Sequence, residues 1–166
     1  MKLSGFTVAA VFFFSAIPIS AKDWRGIVPL HSTRADVQRL LGRPDTDRGS
    51  MIFYNVDFSR VSFQFPQSAC GGPGAFWNVS PDTVTDIWVT QQPLHEVRLG
   101  DIKLGSGFRT AKDPELEYIL NYINDAEGIS YEVDTRYGTD ANGAVVALTM
   151  YFPPAKENNL RCPVKR

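Results

Sequence analysis

Asp113-Pro114-Glu115-Leu116-Glu117-Tyr118-Ile119-Leu120-Asn121-Tyr122-Ile123 can be read in two ways, and the fold turns on which is right. Asp113-Pro114 has the form of a helix start, and Leu116, Ile119, Leu120 and Ile123 fall at helical spacing. From Tyr118 onward the same residues are β-branched and aromatic enough for a strand. An internal repeat decides for strand. Phe53-Tyr54-Asn55, then Val61-Ser62-Phe63-Gln64-Phe65, then Val84-Thr85-Asp86-Ile87-Trp88-Val89 form one series. Leu120-Asn121-Tyr122, then Ile129-Ser130-Tyr131-Glu132-Val133, then Val145-Val146-Ala147-Leu148-Thr149-Met150-Tyr151 form a second. In that register Asn124 to Gly128 is a hairpin loop.

One helix can be read with its start and its stop. Thr33 can cap the backbone N–H of Asp36, and the Asp36 carboxylate can reach back, as in a capping box. Val37, Leu40 and Leu41 share one side, Gly42 supplies a left-handed end, and Pro44 forbids continuation. The expected class is therefore α+β: a short N-terminal helix packed on an antiparallel β-meander, with two repeated β units over 26–90 and 94–153.

Alternation assigns the faces of that meander. Val61, Phe63, Phe65, Ile129, Tyr131 and Val133 point to a core, while Ser62, Gln64, Ser130 and Glu132 point outward. With Asp86 outward, Trp88 is outward too. In the last strand Ala144, Val146, Leu148, Met150 and Phe152 share one parity, which leaves Val145, Thr149 and Tyr151 on the other. Large aromatics among small polar residues are typical binding anchors. Trp88 and Tyr151 are the candidate binding residues.

Met1-Lys2, an apolar run from Phe6 to Ile19 and small Ser20-Ala21 have the form of a secretory signal peptide over residues 1–21. The mature chain, residues 22–166, is then one domain with no membrane span. Removing Lys2 from the 17 basic groups leaves 16 against 18 acidic ones, interspersed along the chain. That balance offers no footprint for nucleic acid. A secreted or periplasmic location follows, and with it a disulfide between Cys70 and Cys162, the only two cysteines.

Residues 30–44, with the frame Thr-x-x-x-Val-x-x-Leu-Leu-Gly-x-Pro, resemble the helices that open the SmpA/OmlA outer-membrane lipoproteins and the β-lactamase-inhibitor-protein-like domains. The whole chain looks most like an uncharacterised exported bacterial family opening with Trp-x-Gly-Ile-x-Pro-Leu-x-Ser-Thr-Arg. It lacks the lipoproteins' anchor Cys, and its second repeat has no clear helix. The resemblance implies a protein-binding or scaffolding role and carries over no catalytic residue.

Catalytic chemistry finds weak material. Ser62, Ser68 and Ser130 lack a nucleophile setting, His31 and His95 are isolated and do not make a metal site, and no cofactor fingerprint is present. Asp82, Asp86 and Glu132 are the carboxylates a glycosidase would need. The expected function is an exported, non-catalytic binding or scaffolding module for a protein partner in the cell envelope or outside the cell. An exported hydrolase or enzyme inhibitor is the alternative.

Overall fold

The structure is a computed structural model and describes residues 21–70, 72, 76–92, 95–140 and 143–163. The signal-segment assignment, except Ala21, and most of the Gly71–Gly74 stretch lie outside the described residues.

The helix α1 spans Arg34–Leu41, and its ends form as the sequence dictates. Thr33 Oγ1 accepts from the Asp36 N–H at 3.2 Å, and the Thr33 N–H donates to the Asp36 carboxylate at 3.0 Å. The Asp36 carboxylate accepts from the Thr33 N–H and also from the Thr33 hydroxyl at 2.8 Å, and these two bonds, with Arg39 beside them, hold its carboxyl down at about 2. Gly42 closes the helix with φ of 81°, a conformation other residues resist.

The strands are β1 (Thr46–Asp47), β2 (Met51–Val56), β3 (Ser59–Gln64), β4 (Asp86–Gln91), β5 (Val97–Arg98), β6 (Arg109–Lys112), β7 (Ile119–Asn124), β8 (Ile129–Asp134) and β9 (Val145–Tyr151). They form one antiparallel sheet in the order β1-β2-β3-β4-β9-β8-β7-β6, with β5 on β9 beside β4. The order is mirrored about a central seam, β4 against β9. On each side a meander runs outward from it.

Ile119–Asn124 is strand, and the helix-like signal before it is spent on a turn. The Asp113 carboxylate accepts from the N–H groups of Glu115 and Leu116 at 2.9 and 2.8 Å. At the next hairpin Asn124 Oδ1 accepts from the N–H groups of Ala126 and Glu127, both at 3.1 Å. Gly128 has φ of 70°, and a Cβ there would stand 2.0 Å from the Phe152 carbonyl oxygen. No other residue fits that turn.

The α+β expectation is overturned. Among the described residues strand accounts for 38% and helix of all kinds for 13%, so the fold is mainly β. The helix is a plug of eight residues rather than a layer. It covers one half of one sheet face, where Val37, Ile27, Trp24 and Leu41 pack on Ile52, Tyr54, Val61, Phe63, Phe65, Ile87 and Val89. Over the other half the cover is the connector after β5, where Leu99, Ile102 and Leu104 pack on Val133, Val146, Tyr122 and Tyr131.

Cys70 and Cys162 form a disulfide with Cα atoms 5.3 Å apart. It fastens the chain after β9 to the loop after β3, beside the Trp77–Arg161 bridge. Among the described residues no helix is long and apolar enough to cross a membrane.

Candidate functional site

Cross-strand register assigns every sheet residue to one of two faces. Ile52, Phe63, Ile87, Tyr151 and Ile129 form one row on the face that carries both cores. Among the described residues the two core clusters, with α1 and the Leu99 connector, draw their sheet residues from that face alone. Its central row reads Phe53, Ser62, Trp88, Met150, Ser130 and Ile123 across six strands. The row beside it reads Asn55, Arg60, Thr90, Leu148, Glu132 and Asn121.

Trp88 therefore stands at the centre of the open face, as its alternation predicts. Its indole N–H is buried and finds no acceptor among the described residues. An orphaned donor of this kind costs about 1–3 kcal/mol. Ser62, directly opposite, is covered to 8% exposure although it points to the open side.

Tyr151 is not beside it. It pairs with Ile87, packs against the helix-side core, and burial pushes its hydroxyl up to about 12. The cause is a bulge in β9. Val133 pairs with Val146 while Glu132 pairs with Leu148, so Ala147 has no opposite number. One extra residue flips everything after it to the other face. Val146 enters the second core, Leu148 and Met150 face outward, and Thr149 and Tyr151 turn inward. The two candidate binding residues lie on opposite faces.

Around Trp88 the open face carries charge of both signs. The Arg60 and Arg48 guanidinium carbons sit 4.7 and 5.4 Å from the Phe53 ring centre. Across the seam, Glu132 is half-buried with its carboxyl pushed up, first by burial and then by Asp113 and Asp134. Burial likewise raises the carboxyl of Asp86, two residues before Trp88.

These carboxylates do not form a hydrolytic pair. Asp86 and Glu132 are two strands and four residues apart, on the order of 16 Å at ~4.8 Å per strand and ~3.3 Å per residue. Glycosidase carboxylates stand about 5–9.5 Å apart. Asp82 lies 3.6 Å from Arg34. Cys70 is spent in the disulfide, and His31 meets Glu157 at 3.2 Å. Among the described residues no group of three or more His, Cys, Asp and Glu could hold a metal.

A shallow cleft of ≈ 400 Å³ lies between Arg34, Arg48, Ser50, Gln67 and Asp82. Its main cation is already committed. Arg34 donates to the Gly49 carbonyl, stands 3.4 Å from Asp47, and lies over the Phe65 ring at 4.1 Å. It is a strut between helix and sheet.

Sequence reasoning set Trp88 on the outward side but did not bring Phe53, Met150, Ile123 and Arg60 to it. Only the pairing of strands distant in sequence brings these into one row. No family model, curated protein or solved structure matches the chain. What the face can do is read from its own residues.

Proposed function

We propose that the chain is an exported, non-catalytic binding module that engages a protein partner through the open face of its sheet, with Trp88 as the central anchor. One observation carries this reading: the row from Phe53 through Trp88 and Met150 to Ile123, whose large side chains are partly exposed and belong to neither core. Tryptophan, phenylalanine, methionine and arginine are the residue types enriched in interface cores, and this face presents all four. A central aromatic ringed by partly covered neighbours is the usual form of an energetic anchor. The resemblance of residues 30–44 to exported binding domains points the same way. The disulfide supports an oxidising location, secreted or periplasmic.

The test compares two single substitutions. Trp88→Ala weakens capture of envelope proteins about tenfold or more while the thermal midpoint stays nearly constant. Tyr151→Ala lowers the midpoint by several degrees, because that ring belongs to the core. Equal thermal losses in the two variants would place Trp88 in the core as well and end the reading.

A further inference from the structure

We infer that the open face is self-complementary and that its occupant is a second copy of this chain, packed face to face about a two-fold axis along the β4/β9 seam. The inference rests on the open-face reading above and names its occupant. Rotation about an axis lying in the interface and parallel to the strands keeps each cross-sheet row in place. It exchanges strands at equal distances from the seam: β4 with β9, β3 with β8, β2 with β7.

The residues at exchanged positions match in chemistry. Arg60 on β3 and Glu132 on β8 lie in the same row, each one strand beyond the central pair. The rotation sets Arg60 of one copy over Glu132 of the other, twice per dimer. In the next row it sets Phe53 over Ile123 and Trp88 over Met150, apolar on apolar.

Within a single chain these charges are left unmatched. Arg60 has the Phe53 ring for company and no carboxylate among the described residues. Glu132 has no cation among the described residues, and two further carboxylates, Asp113 and Asp134, bear on it. An anion held half-buried beside its own kind lacks a positive partner, and the mirrored position on the second copy supplies one. A face-to-face dimer turned the other way, with its axis across the strands and along this row, would set Arg60 over Arg60 and Glu132 over Glu132. Charge favours the seam axis over that one.

The area suffices. The six long strands, β2, β3, β4, β9, β8 and β7, at ~4.8 Å spacing and about 20 Å long, give roughly 600 Å² per copy, and the shorter β1 and β6 add about 100 Å². A standard protein interface covers about 800 Å² per partner. Twisted sheets also stack face to face within about 30° of each other, at a spacing of about 10 Å.

The test is sedimentation of the chain purified from its exporting host, over a micromolar concentration series. The wild type shows a monomer–dimer equilibrium, and Trp88→Ala weakens it about tenfold or more. Arg60→Glu and Glu132→Arg each weaken it by a similar factor, and the double charge swap returns the equilibrium close to wild type. Recovery in the double variant also shows that the single ones had not merely misfolded. A wild type that stays monomeric throughout, a dimer indifferent to both charge reversals, or a double swap that fails to recover overturns the assignment. If the wild type is monomeric while Trp88→Ala still loses capture of an envelope protein, the second copy is the wrong occupant and the open-face reading stands.

Discussion

The two halves of the sheet share a strand order but bury themselves by different means. The half from β1 to β4 closes under a capped helix and gathers ten buried residues into one core, including Phe63 and Phe65. The half from β6 to β9 closes under a connector that holds only a three-residue 3-10 turn, Leu99–Asp101, and gathers four: Leu99, Val133, Ala144 and Val146. Partly buried rings, Tyr122 and Tyr131 among them, make up the difference, with Phe108 stacked on Tyr131 at 5.8 Å between centres. An antiparallel sheet with one solvated face does not need a helix on the other. It needs apolar cover, and a loop with leucine and isoleucine at the right places provides it at lower density.

Core truncation gives the largest test of that contrast. Phe63→Ala is expected to cost about 3–5 kcal/mol in urea unfolding, and Leu99→Ala about 2 kcal/mol, the low end for a buried leucine. Equal costs would show that the second core is packed as tightly as the first. Next comes the disulfide, which ties the end of the second half back to the first. Replacing Cys70 and Cys162 by Ser releases a loop with a sequence separation of 92. Loop entropy for that length gives about 4–5 kcal/mol, and about 2–4 is the usual yield. An unchanged urea midpoint would mean that packing alone holds the tail.

The smallest effects have opposite signs in the two halves. Asp36, at the helix cap, has its carboxyl held down at about 2, below an unfolded value of about 3.9. Its contribution is present above pH ~4 and is lost as pH falls toward 2. Glu132, in the second half, has its carboxyl raised by burial and by Asp113 and Asp134. For a raised carboxyl, stability declines as pH climbs from the unfolded value through the folded one. In dilute, monomeric solution Asp36→Asn therefore lowers the thermal midpoint at pH 7, and Glu132→Gln raises it. Both differences shrink at pH 2–3. A common sign for the two at pH 7 would break the contrast.

What the sequence makes legible here is local. The cap at Thr33 and Asp36, the stop at Gly42, the alternation of Val61, Phe63 and Phe65, and the strand at 119–124 all depend on neighbours within a few residues. The cysteine pairing is legible for a different reason, because only two candidates exist. The class fails because a readable helix is not a large one, and nothing local says how little of the sheet it covers. Tyr151 fails because parity was carried through Ala147, where pairing with β8 inserts an unmatched residue. The open face fails in part for the same reason. Trp88 can be recognised alone, but its row cannot.

The seam between β4 and β9 also orders events in time. Synthesis runs from the N-terminus, so β1 to β4 can meander together while β9 does not yet exist. The inner edge of β4 then stands with unpaired backbone groups until residues 145–151 arrive, an interval of roughly 3–11 s at typical elongation rates of about 5–20 residues per second. The middle of the finished sheet is thus a temporary border of the nascent one. Borders of this kind recruit foreign strands, so the inner edge of β4 is the aggregation-prone position of the half-made chain.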